Sequence, residues 1–143
     1  MKKTVLIAIF GAIFLSGCGA VSYEEIMEIR GKKPSKERVI VWVKSFLRNN
    51  LKDPDSVKDL VIYDARPPQP HASSPGKYVS ILGKEWVYCF EVNAKNSYGG
   101  YTGSQLHGIE VQKGRALRGG TDPFITARCG NRVIYRESGL IKY

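Results

Sequence analysis

The run Glu85-Trp86-Val87-Tyr88-Cys89-Phe90-Glu91-Val92-Asn93 constrains the fold of this chain more than any other segment. Trp86, Tyr88, Phe90 and Val92 alternate along one face of an extended chain, while Val87 and Cys89 place apolar groups on the other. With apolar residues on both faces, it reads as a central strand covered on one side by a helix, although a period of two does not say which side.

That helix is predicted to begin after Pro34-Ser35, with Ser35 as its cap and Glu37 favourably charged in its first turn. Val39, Ile40, Val43, Phe46 and Leu47 recur at helical spacing as one apolar stripe, flanked by Trp42, with Lys36, Lys44 and Arg48 opposite. Asn49-Asn50 and Asp53-Pro54 favour its ending, and Ser56 to Lys58 can add a further turn. Further strands are predicted at Leu60–Asp64, Tyr78–Leu82, Tyr101, Leu106–Val111 and Arg132–Arg136. Arg66-Pro67-Pro68-Gln69-Pro70 cannot supply a central ladder, so the chain to Gly76 is an exposed loop. The expected architecture is α+β: one N-terminal amphipathic helix packed on a small, mainly antiparallel sheet of about five strands, a single domain over residues 35–143.

Ahead of that domain, Lys2-Lys3 precede a short apolar stretch from Thr4 to Leu15. A membrane-crossing helix needs about 20 apolar residues, whereas a basic start, a short apolar stretch and small residues match an export signal. Leu15-Ser16-Gly17-Cys18 resembles the lipobox of bacterial lipoprotein precursors. The resemblance implies that residues 1–17 are a signal peptide, that the Cys18 thiol is diacylated with palmitate-type chains, and that the mature chain is lipid-anchored. Each buried methylene of such chains contributes about 0.8 kcal/mol to attachment. Gly19 after the cysteine, where retained lipoproteins carry Asp, implies the outer membrane facing the periplasm more than the inner membrane. Residues 18–34 then form the lipidated cysteine and a tether. Within it Glu24–Arg30 can make one or two helical turns, and Ile26, Met27 and Ile29 can dock on the domain or lie near the bilayer.

Assigning Cys18 to lipid leaves Cys89 and Cys129 as a pair, and in an oxidising compartment a disulfide is its default state. Closing a loop of about 40 residues would stabilise the fold by about 4 kcal/mol on the chain-entropy account. His71 and His107 do not complete a zinc-ligand spacing with these cysteines, so no metal and no cofactor are expected. Without Lys2 and Lys3 the net charge falls from +9 to +7. In an exported chain that excess meets lipid head groups and acidic polymers, not nucleic acid. No run of five or six basic residues concentrates it, and a solvated surface accounts for much of it.

Asn93-Ala94-Lys95-Asn96-Ser97-Tyr98-Gly99-Gly100-Tyr101-Thr102-Gly103 is the most distinctive internal string. Together with Leu51-Lys52-Asp53-Pro54-Asp55-Ser56 and Cys89, it resembles an uncharacterised family of small exported bacterial and phage-associated proteins, over about residues 35–112. Phe90 and Ser104-Gln105 depart from that family's pattern, and the resemblance brings no activity with it. Physically, Asn96, Gly99 and Gly100 tolerate positive φ and should reverse the chain between two strands. The string is either a demanding turn or an exposed recognition tip in which Lys95, Asn96, Ser97, Tyr98 and Tyr101 make contact. Lys113 to Gly120 is a second basic turn, either solvated or a phosphate contact through Arg115 and Arg118.

Catalytic patterns are absent from the sequence. No nucleophile sits beside a histidine in an elbow motif, Glu85 and Glu91 could face each other only through strand pairing, and Asp53 and Asp55 flank a proline without a calcium loop. The sequence therefore predicts a non-enzymatic, lipid-anchored envelope protein that binds another envelope protein. The other readings are a mobile-element lipoprotein that excludes incoming DNA, and a structural binder of anionic envelope polymers.

Overall fold

The structure, a computed structural model, describes residues 20–70, 72–79 and 84–143. Residues 1–19, where the expected signal peptide and Cys18 fall, His71 and residues 80–83 lie outside the described residues. Along the chain run β1 (Ala20–Val21), α1 (Tyr23–Arg30), α2 (Lys36–Asn50), a 3-10 turn (Pro54–Ser56), β2 (Lys58–Ala65) and β3 (Tyr78–Val79). These are followed by β4 (Trp86–Lys95), β5 (Tyr101–Gln112), β6 (Arg115–Gly120), α3 (Pro123–Thr126) and β7 (Cys129–Leu140).

The doubly apolar segment is β4, third in a five-stranded antiparallel sheet of order β6-β5-β4-β2-β7. Its even-numbered side chains, Trp86, Tyr88, Phe90 and Val92, are buried with Val39, Val43 and Leu47 of α2 and with Leu60 and Ile62 of β2. α2 starts where Ser35 Oγ accepts from the Arg38 N–H at 3.4 Å. The odd-numbered face carries a smaller cluster, Val87, Cys89 and Ile125 of α3, with Tyr63 and Cys129 against it. The Cys89–Cys129 disulfide is formed, with Cα atoms 5.4 Å apart. A Cβ on Gly108 would come within 2.5 Å of the Ile125 side chain, so the bare glycine lets α3 seat over Cys89.

Several expectations are revised. The sheet has five strands, but Tyr78–Val79 is not one of them; it pairs with β1 in a separate two-stranded sheet. Its place is taken by β6. The expected basic turn from Lys113 to Gly120 is only a two-residue reversal at Lys113-Gly114, both at positive φ, after which Arg115–Gly120 pairs with β5. Tyr101 and Leu106–Val111 are parts of one twelve-residue strand.

The described residues hold three α-helices, not one. α1 lies in the segment read as tether, and it forms because Ser22 and Glu25 make a reciprocal capping box, with Glu25 N–H to Ser22 Oγ at 3.1 Å and Ser22 N–H to Glu25 Oε2 at 2.7 Å. Ile26 is buried, Trp86 Nε1 donates to Gly31 O at 3.1 Å, and the Lys113 N–H donates to Arg30 O at 2.7 Å. Residues 23–31 are thus packed on the sheet. α3 is a single turn opened by Asp122, whose Oδ1 accepts from the Phe124 N–H at 2.7 Å, and by Pro123.

Candidate functional site

Lys95, Asn96, Tyr98 and Tyr101 come together at the turn between β4 and β5. The Asn96 N–H donates to Gly100 O at 2.8 Å and the Gly99 N–H to Asn96 O at 3.0 Å. Asn96 Oδ1 accepts from the Tyr98 N–H at 2.9 Å and the Gly100 N–H at 3.1 Å. One asparagine side chain therefore ties two otherwise free donors, and Gly99, at φ +84°, takes the left-handed position. Tyr98 projects from this frame with 97% of its surface exposed.

The two motif segments, far apart in the chain, meet here. The Lys52 ammonium donates to Ser97 Oγ at 3.2 Å, the Lys95 N–H to Ser56 Oγ at 3.3 Å and the Tyr101 hydroxyl to Ser56 O at 3.0 Å. Ser56 Oγ in turn donates to Asp53 O at 2.8 Å. Leu51–Ser56 is thus the buttress of the tip, and Asp53 and Asp55 are turn residues. The Lys58 and Lys95 ammonium groups stand 4.1 and 5.7 Å from the Tyr101 ring centroid, within cation–π reach. Lys52, quoted from sequence only as part of the Leu51–Ser56 segment, and Lys58, at the start of β2, belong to the tip although neither was picked out as a contact residue.

Arg115 and Arg118 are elsewhere. They lie on β6, beside the far end of β5 from Tyr101, about 35 Å away along a twelve-residue strand. The tip and this patch cannot form one surface. Arg118 is also committed, because the β5–β6 register sets it opposite Glu110, to which it is ion-paired.

Glu110 is the centre of a charge cluster under the second face of the sheet. The buried Arg128 donates through Nη1 to Glu110 Oε1 and through Nη2 to Glu85 Oε2, both at 2.8 Å. Arg30, only 2% exposed, stacks its guanidinium 4.6 Å from the Trp86 ring centroid. Burial first, and then repulsion from Arg128, pushes the Arg30 guanidinium down to about 10. None of these four residues was picked out from sequence as a group. The Ser22-x-x-Glu25 and Asp122-Pro123 signatures could have announced the helices that bring Arg30 and Arg128 in.

The remaining titratable candidates are structural. Glu85 belongs to the cluster, whereas Glu91 accepts from the Tyr63 hydroxyl at 3.0 Å. Six residues apart along an extended chain, the two carboxylates are about 20 Å from each other, beyond the separation any carboxylate-pair hydrolysis uses. His107 stacks on Phe90 at 5.3 Å, and burial pushes its imidazole below the ordinary value. Among the described residues no group of three or more His, Cys, Asp or Glu is arranged to hold a metal, and no helix is long and apolar enough to cross a membrane. Comparison with protein-family models, curated proteins and solved structures returns no match to this chain.

Proposed function

We propose that the chain is a non-enzymatic, lipid-anchored envelope protein that holds a partner protein at the β4–β5 tip. The observation that carries this reading is Tyr98, an almost fully exposed aromatic on a turn braced from two directions. An exposed tyrosine on a mobile loop would lose its freedom on binding; here much of that ordering cost is already met by the fold. Tyrosine supplies a large contact area with few rotatable bonds. Lys58 and Lys95 at the Tyr101 ring and Lys52 at Ser97 suit a partner with an acidic rim, which would speed encounter more than it would tighten the complex.

The leader supports the anchoring half of the proposal, with Cys18 lipidated and the outer membrane as its location. Cys18 stands two residues before Ala20, so the lipid would hold the domain by its β1 end. α1, packed beside Trp86, belongs to that end. β4 runs from Trp86 to Lys95, which would set the tip about 30 Å from the anchored end. In this reading α2 is the amphipathic helix that stiffens the sheet between them, and the protein works by presentation.

Two experiments test the halves separately. Radiolabelled palmitate should enter the wild-type chain in cells and be absent from Cys18→Ala; equal labelling of both would end the anchor reading. A photo-crosslinker at position 98 should trap one defined envelope protein, and a crosslinker at exposed Val41 on α2 should not. The same products from both positions would remove the tip as the binding surface.

A further inference from the structure

Where α2 begins, Asp64 of β2, Tyr88 of β4 and Arg132 of β7 meet the segment that leads into the helix, and with Lys33, Lys36 and Val39 they line a cavity of about 270 Å³. Asp64, only 7% exposed, already has its acceptors engaged. Each of its oxygens accepts from the Lys33 ammonium at 2.8 Å, one also from the Ala65 N–H at 2.9 Å and the other from the Arg132 guanidinium. Tyr88, 1% exposed, keeps a hydroxyl with no hydrogen-bond partner among the described residues. A buried O–H is costly unless it is bonded, and nearly all such groups are. Burial, and then the Asp64 carboxylate, pushes this hydroxyl above the ordinary tyrosine value, so it lies in the field of that carboxylate without bonding to it. Around the idle donor stand Lys33, Lys36 and Arg132, three cations against one carboxylate among the described residues of the cavity. The first turn of the fifteen-residue α2, through Lys36 and Val39, adds the positive end of a helix.

We propose that this cavity binds a phosphate group, one oxygen of which accepts from the Tyr88 hydroxyl while the others face Lys33, Lys36 and Arg132. A phosphate presents several acceptors at once, which suits a single buried donor with cations at the mouth, and the Arg132 fork can take two of its oxygens. The volume sets the size. At roughly 30 Å³ per water, 270 Å³ is the space of about nine waters, enough for a phosphate with a short ester substituent and just below the 300 Å³ or more of a drug-sized site. Val39 and Ile134 supply apolar surface for the substituent. Free phosphate, a soluble ester and a phospholipid head group all offer this chemistry. Tyr88 stands seven residues from Lys95, about 23 Å along β4, so the site is separate from the tip and does not depend on the tip reading.

Three probes separate the sources: inorganic phosphate, glycerol 1-phosphate, and a short-chain phosphatidylglycerol kept monomeric, each titrated at neutral pH and constant ionic strength against chloride. Phosphorus NMR line widths report binding directly, and Tm reports it through linkage. The expected result is saturation by at least one probe with a Kd roughly in the millimolar range, and a Tm raised by roughly 5 °C at about twentyfold excess over Kd. Tyr88→Phe should weaken binding about tenfold by removing the buried donor, and Arg132→Gln, at an exposed residue, about fivefold. Without any probe Tyr88→Phe should melt no lower than the wild type, because it removes a polar group that the fold itself leaves unbonded; this shows that the variant is folded and that its weaker binding is a loss at the site. Saturation by any of the three probes supports the site, and the tightest of them names its source. A response no larger than that to chloride, or equal binding by the wild type and either variant, would overturn it; equal binding by Tyr88→Phe would mean that the hydroxyl holds no more than a water.

Discussion

The two faces of the sheet are held by different physics. Under α2 the cover is fifteen residues long, and three of its side chains are fully buried against a continuous apolar layer. Under α3 the cover is four residues long and contributes Ile125. Such a helix cannot bury enough apolar surface to hold a layer, and the second face is stitched by a disulfide and by the Arg128–Glu110–Arg118 ion pairs. The apolar face draws on shape and area, so its stability is insensitive to redox state. The stitched face draws on chemistry that depends on compartment.

The largest effect should come from opening the apolar face. Phe90→Ala removes a fully buried ring packed edge-on to Phe46 and stacked on His107, and should cost about 4 kcal/mol in urea denaturation. Replacing both Cys89 and Cys129 by Ala should cost about 3 kcal/mol, and the wild type should show the same loss on reduction. A deficit larger than that of Phe90→Ala would mean that the stitched face dominates. Arg128→Met should cost about 2 kcal/mol, since it leaves Glu110 buried with Arg118 alone, whereas Arg128→Met combined with Glu110→Leu should recover to within about 1 kcal/mol of the parent.

The Lys44–Glu137 ion pair at the rim of the α2 face gives the comparison a pH axis. Desolvation would raise the Glu137 carboxyl, yet the Lys142 N–H, the Lys44 ammonium and the Tyr135 hydroxyl together hold it down at about 2, against an ordinary 4.5. A depressed folded-state value means that the stabilisation is complete above about pH 4.5 and is lost as pH falls through about 2. Glu137→Gln should therefore cost about 2 kcal/mol at neutral pH and flatten the acid limb of the stability profile. At the small end, Tyr98→Ala should change stability by less than about 0.5 kcal/mol, because the ring is exposed and the turn is tied by Asn96 and the backbone. A larger loss would make Tyr98 part of the fold instead of its display.

How much of this could be read beforehand follows the same division. Alternation in β4 announced the apolar layer, since a strand exposes its period in neighbouring residues. The disulfide followed from cysteine arithmetic. The ion-paired layer was hidden because Glu85, Glu110, Arg118 and Arg128 meet only through strand register and the placement of a one-turn helix. Arg30 was hidden more deeply, in a polar stretch whose capping signature was the sole clue to order. At the tip, the reversal was legible from Asn96, Gly99 and Gly100, but the convergence of Lys52, Ser56 and Lys58 upon it was not, because β2 reaches the tip through tertiary pairing.

The sheet order gives the disulfide a mechanical meaning. β2 lies between β4 and β7, and the Cys89–Cys129 bond joins the strands on either side of it. If the C-terminal end is pulled while the N-terminal end is held, β7 can unzip from Leu140 back to Cys129, and there the covalent bridge takes the load. The 40-residue span between the cysteines is then withheld from extension, about 140 Å of contour that stays folded until the bond is reduced. An oxidised chain should accordingly behave as a short, stiff link under force, and a reduced one as a longer and more yielding spring.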